Sequence, residues 1–270
     1  MYRRLSLWVC SIFVLGMALT SVARAELLAH WKFDEGSGTI LEDSSGNGHH
    51  GVISGTPVWG PGPLGLALDN RTTTSGTEVP NFDITGGTGS CTLTFWTKWD
   101  GFDETQHILT KSNGWDDTHM LQVEIKGRAT EADDRRDHLI WVHRGDTQIP
   151  LHQVPVDEWA HHGLAYDGDN LTITSYFNGE LAVESPSGMG QDIDSTILIG
   201  MAIESARLYK GWLDDMQLHS GVLSHGEIID IMRGVGEERQ TAYGPDPRNG
   251  TLHPNTWINL AWRAGFVMLD

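Results

Sequence analysis

Gly211-Trp212-Leu213-Asp214-Asp215-Met216-Gln217-Leu218 is the stretch on which the reading of this chain turns. It has the period of a β-strand, with Trp212, Asp214, Met216 and Leu218 on one face and Leu213, Asp215 and Gln217 on the other. That phase points Asp214 toward a core, where an ionised carboxylate must be paired, hydrogen-bonded or bound to a metal. A matching segment stands far upstream, Asp43-Ser44-Ser45-Gly46-Asn47-Gly48-His49-His50-Gly51, a loop of oxygen-bearing side chains and turn-forming glycines. The two segments suggest one site.

Working outward, short β-rich runs recur between Gly, Asp and Asn clusters: 28–33, 93–99, 107–111, 120–125, 138–143, 161–166, 171–177, 196–199 and 212–219. Asp167-Gly168-Asp169-Asn170 and Asn178-Gly179 are hairpin turns. Helical periodicity is confined to one segment, where Ser224 as N-cap and Glu227 three residues on form a capping box for a helix reaching about Met232. The fold class is therefore all-β, a two-sheet antiparallel sandwich with one short C-terminal helix.

The first 25 residues read as a secretory signal: Arg3 and Arg4, an apolar run to about Leu19, and the small-x-small pattern Ala23-Arg24-Ala25. The apolar run is shorter than a membrane span needs. Residues 26–233 are expected to form the sandwich and 234–270 a linker plus the truncated start of a second small β domain. The chain carries a formal charge of −18, which argues against nucleic-acid or anionic-membrane partners and suits a secreted protein. After cleavage Cys91 is the one remaining thiol. It is expected to be a structural, partly buried residue in its strand.

Several segments in fixed order carry a family likeness. His30-Trp31-Lys32-Phe33-Asp34-Glu35-Gly36, the Asp43 loop, Leu64-Gly65-Leu66-Ala67-Leu68-Asp69, Thr94-Phe95-Trp96, Trp159-Ala160-His161-His162-Gly163, Tyr176-Phe177-Asn178-Gly179, Gly211 to Asp215 and Leu223 to Ile228 together resemble the laminin-G-like, concanavalin A-type jelly-roll domains of bacterial secreted proteins. The tail from Gly244 to Trp262 looks like the lead-in to a fibronectin- or immunoglobulin-like module. The resemblance implies two stacked antiparallel sheets, with Trp31, Phe33, Phe95, Trp159, Trp212 and Ile199 mainly in the core. It also implies a structural calcium where the early loop meets the last strand, with Asp43, Asn47 and Asp214 as ligands, oxygen donors of the kind this ion takes. Asp215, facing the other way, ranks lower. The alternative is that Asp214 accepts backbone N–H bonds from the 44–48 turn without a metal.

Zinc is disfavoured, because no histidine pair has helical ligand spacing and no cysteine assists; surface or hydrogen-bonded histidines are expected. Catalysis is the rival class, but a retaining glycosidase needs two carboxyls about 5 Å apart and no Glu-x-Asp-x-Glu strand occurs. Ligand binding falls to loop aromatics. Trp115 with Asp116 is the first candidate for stacking on a sugar and bonding its hydroxyls, and Trp59 the second. For both, the alternative is an indole folded back on the sandwich. The expectation is a secreted, non-catalytic recognition or adhesion module for carbohydrate or protein, with a glycan-active enzyme or its accessory domain as the alternative.

Overall fold

The structure, a computed structural model, describes residues 25–71, 76–114, 121–127, 135–143, 147–188, 194–202 and 207–235. The signal sequence up to residue 24, Trp115, Asp116 and the tail from 236 lie outside the described residues.

Sixteen strands are described: β1 (Leu27–Trp31), β2 (Ile40–Leu41), β3 (Gly51–Ile53), β4 (Val58–Gly62), β5 (Gly65–Asp69), β6 (Thr77–Val79), β7 (Cys91–Trp99), β8 (Gln106–Lys111), β9 (Leu121–Ile125), β10 (His138–His143), β11 (Thr147–Gln153), β12 (Trp159–Asp167), β13 (Thr172–Phe177), β14 (Glu180–Pro186), β15 (Ile197–Ile199) and β16 (Gly211–Ser220). One sheet runs β14-β13-β12-β7-β16-β5-β4, with β1 also on β16; we call it sheet A. Sheet B runs β11-β10-β9-β8-β15-β6-β3-β2. Every ladder between named strands is antiparallel. The expected all-β sandwich is the fold.

Alternation along the strands fills the space between the sheets. From sheet A come Leu93, Phe95, Trp99, Leu164 and Tyr166; from sheet B come Leu121, Val123, Ile125, Leu139 and Trp141. Trp31, Phe33 and Ile199 join this core as expected, and Cys91 is fully buried in it and forms no disulfide among the described residues. Trp159 and Trp212 do not: both remain partly exposed. Each is the direct cross-strand partner of Lys98, which lies between inward-facing Thr97 and Trp99 and points away from the core.

The last strand departs from its expected phase. The pairing with β7 runs Leu213↔Thr97 and Asp214↔Trp96, then resumes at Gln217↔Thr94 and Leu218↔Leu93. One extra residue is thus accommodated in β16 as a β-bulge, and Asp215 takes φ 48. Leu213, Met216 and Leu218 face the core, so the strand reverses phase in its middle. Asp214 and Asp215 share the outer face of sheet A instead of straddling the sheet.

The expected helix is α1 (His225–Met232), capped by the expected box: Ser224 Oγ accepts from Glu227 N at 3.3 Å and Glu227 Oε2 accepts from Ser224 N at 2.8 Å. It packs on the outer face of sheet A. A Cβ on Gly163 would come within 2.8 Å of Ile228, so this glycine is what lets the helix approach.

Candidate functional site

The outer face of sheet A gathers three features side by side: the carboxylates of the bulge, a layer of buried polar groups beneath Trp96, and a row of partly exposed aromatics.

At the bulge, both carboxylates are fully buried. Asp214 Oδ2 accepts the Leu64 amide at 2.9 Å in the turn between β4 and β5. A Cβ on Gly62 would approach that carboxylate to 2.5 Å, so glycine leaves the room it occupies. Asp215 Oδ1 lies 2.8 Å from His30 Nε2. The bulge also marks the switch of edge partner, since β5 pairs with Trp212 and Leu213 while β1 pairs with Met216 to His219.

The expected calcium ligands are distributed differently. Asp43 Oδ1 accepts His30 N and Ser45 N, and Oδ2 accepts Ser45 Oγ and His49 N, all within 2.9 Å. Burial works to raise this carboxyl's pKa, but those bonds outweigh it and hold it below the usual range. Asn47 turns its amide nitrogen to the carbonyls of Leu27 and Leu28. Of the turn amides, Ser45 N donates to Asp43, Ser44 N to the His30 carbonyl and Asn47 N to Ser45 Oγ, whereas the sequence alternative gave them to Asp214, whose Oδ2 accepts from Leu64 N. Among the described residues no three His, Cys, Asp or Glu side chains are placed to hold a metal.

Beneath Trp96 lies a set of buried polar atoms. His161 is directly opposite Trp96 on the neighbouring strand, with its ring edge-on to the indole at 5.2 Å. Both His161 nitrogens, Trp96 Nε1 and Thr94 Oγ1 are buried without a hydrogen-bond partner among the described residues. Burial drives the His161 pKa down to about 4, and Asp215 opposes that shift. On the other face of the same strand His162 bridges the sheets, 2.9 Å from Thr97 Oγ1 and, through its second nitrogen, 2.8 Å from His152 Nε2. Of the two expected states, surface or hydrogen-bonded, His162 takes the second, whereas His161 is buried with neither ring nitrogen hydrogen-bonded among the described residues, because β12 is an interior strand.

The aromatic row crosses the strands. Trp159, Lys98, Trp212 and Asp69 are successive cross-strand partners on β12, β7, β16 and β5. Trp96 stands two residues from Lys98 on the same face. The Trp212 indole lies against Gly60, where a Cβ would come within 2.4 Å, and the Arg71 guanidinium stands over the ring at 5.0 Å from its centre. Arg71 is held there by two bonds to Asp69, Nε to Oδ1 at 2.9 Å and the terminal nitrogen to Oδ2 at 2.7 Å.

Sheet B carries a second polar group on its outer face. Lys126 Nζ lies 2.8 Å from Glu124 Oε1, and His107 Nε2 lies 3.4 Å from Glu124 Oε2, all three side chains buried. Burial first, then Arg207 and Lys126, lowers the His107 pKa to about 3.

Of the expected ligand-binding residues, Trp59 sits on β4, partly buried and packed against the core. Trp115 and Asp116 are not described. The sequence signals missed were the outward phase of Lys98, fixed by its neighbour Trp99, and the alternation Gln122-Val123-Glu124-Ile125-Lys126, which sets three polar side chains on one face.

Among solved structures, the fourth domain of an extracellular arabinanase from Geobacillus stearothermophilus, in complex with arabinotriose, is similar over 77% of this chain and 98% of that domain, at 20% identity and a TM-score of 0.59. The binding domain of botulinum neurotoxin DC, in complex with rat synaptotagmin II, is similar over 77% of this chain and 51% of that one, at 13% identity and a TM-score of 0.58. Trypanosoma rangeli sialidase is similar over 77% of this chain and 32% of its own length, at 15% identity and a TM-score of 0.55. At these identities the likeness shows a shared fold. No curated protein matches the chain in sequence. A family model described as the concanavalin A-like lectin/glucanases superfamily matches residues 71–229, more than half of the chain. With the two-sheet jelly-roll architecture above, this chain belongs to that laminin-G-like family.

Proposed function

We propose that this protein is a secreted, non-catalytic recognition module that binds carbohydrate on the outer face of sheet A. The observation that carries this reading is the row Trp159–Lys98–Trp212, with Trp96 beside it: partly exposed indoles on rigid neighbouring strands, interleaved with side chains that donate hydrogen bonds. Flat aromatic surface with a polar handle suits a sugar ring, whose axial hydrogens stack while its hydroxyls need partners. Strands place such groups more firmly than loops do. The arabinotriose complex of a similar fold is consistent with this ligand class.

The carboxylates support binding over hydrolysis. Asp214 and Asp215 are buried against the Leu64 amide and His30, and Glu124 is engaged by Lys126 and His107. Each is held in a structural contact rather than presented to a substrate, whereas glycoside hydrolysis takes two carboxyls flanking an accessible bond.

Affinity electrophoresis through gels containing soluble polysaccharides tests the proposal. At least one glycan should retard the protein, and Trp159→Ala should weaken that retardation by a factor of about five or more, the worth of roughly 1 kcal/mol for one stacking ring. Release of reducing ends or unsaturated sugars by the purified protein, abolished by Glu124→Gln, would overturn the non-catalytic reading.

A further inference from the structure

We infer that the row on sheet A selects an anionic sugar, with Lys98 as the residue that reads its charge; this rests on the carbohydrate-binding reading above. The members of the row are Trp159, Lys98, Trp212 and Asp69, with Arg71 folded back over Trp212. Arg71 is paired with Asp69 through its two-pronged contact and is also acted on by Asp157 and Asp100. Lys98 makes no ion pair or side-chain hydrogen bond among the described residues, so one ammonium group is left uncompensated in the middle of the row.

That position is unusual for this chain, whose net charge is −18. In so acidic a chain, an ammonium without a direct carboxylate partner, set between indoles, is a local exception. A charge beside indoles is less screened than one in open water, and so more selective. Trp159 and Trp212 each pair directly with Lys98, which sets them two strand spacings apart, about 10 Å. An extended saccharide lying across the strands then places alternate rings over the two ends of the row. The ring between them comes over Lys98, where a uronate carboxylate or a sulfate ester would meet the ammonium in a charge-assisted hydrogen bond. At the Trp212 end the planar Arg71 guanidinium, with its side chain 39% exposed, is the group the ligand meets first.

Affinity electrophoresis with polygalacturonate, dextran sulfate, neutral dextran and neutral arabinan tests the inference, using wild type, Lys98→Gln, Lys98→Arg and Trp159→Ala, each first checked for an unchanged melting curve. Wild type should bind polygalacturonate or dextran sulfate at least tenfold more tightly than either neutral polymer, and binding should weaken with added sodium chloride. Lys98→Gln should lose about tenfold on the anionic polymer only, and Lys98→Arg should keep most of it. Retardation by dextran sulfate alone identifies a sulfate ester, and by polygalacturonate alone a carboxylate; either supports the inference. Preference for a neutral polymer that depends on Trp159 but not on Lys98 overturns the inference and leaves carbohydrate binding standing. No retardation by any of the four polymers overturns the inference, and failure across a wider glycan panel overturns the underlying reading too.

Discussion

Asp215 Oδ1 lies 2.8 Å from His30 Nε2, and both side chains are shut away from solvent. The contact ties the bulge of β16 to β1 at the point where β16 changes edge partner. Beside it, Asp214 ties the same bulge to the turn between β4 and β5. The two adjacent carboxylates thus fasten two separate segments to one central strand.

Asp214→Ala and Asp215→Ala are therefore expected to destabilise the protein by similar amounts, about 3 kcal/mol each, because each leaves a buried partner unsatisfied. Urea unfolding followed by circular dichroism measures this. A regular strand without the bulge predicts a large loss at one position and little at the other, so a neutral Asp215→Ala would contradict the bulged geometry.

Acid sensitivity should begin well above the carboxylate range. His152 and His161 have pKa values pushed down to about 4 and His107 to about 3, in each case chiefly by burial. In the unfolded chain these groups titrate near 6.5. Between those limits the unfolded state binds more protons, so stability is full above about pH 6.5 and falls as the pH drops toward 4, by up to about 1.4 kcal/mol per pH unit for each histidine. Melting curves from pH 8 to pH 4 should show a monotonic decline. His161→Phe should cost little at pH 7.5, since both ring nitrogens lack hydrogen-bond partners, and should flatten that decline. A flat profile in the wild type would contradict the assignment.

Asp43→Asn is expected to cost about 2 kcal/mol even with a chelator present, because its four hydrogen bonds come from the protein itself. Calcium at Asp43, Asn47 and Asp214 makes a different forecast: chelation should lower the melting temperature by several degrees, and Asp214→Asn should abolish the dependence. Differential scanning calorimetry with calcium and with chelator separates the two.

Much of the fold was legible because long strands and the capping box write themselves in period and in local chemistry. Leu93 to Trp99 alternates cleanly, and Ser224 with Glu227 announces the helix. The short strands β2, β3, β4 and β6 were not legible. They hold two to five residues each, and β4 contains Pro61 between two glycines. Such segments become strands through pairing with neighbours distant in sequence, which no local pattern records. The bulge failed for a related reason. Nothing in Asp214-Asp215 marks an inserted residue, yet one extra residue reverses every side chain beyond it, and so the phase reading that sent both Trp212 and Asp214 to the core misplaced them, while Asp215 keeps its outward phase but is buried there. Trp159 was misplaced because an indole reads as core unless its strand partner is known, and that partner is Lys98.

The most direct test of carbohydrate recognition on sheet A is to follow the tryptophan indole N–H resonances of the 15N-labelled protein during titration with a retarding glycan. Trp159 and Trp212 should shift and saturate together, with Trp96 beside them, while the core residues Trp99 and Trp141 stay in place. Saturable shifts confined to Trp115, with Trp159 and Trp212 unmoved, would contradict the assignment of the binding face.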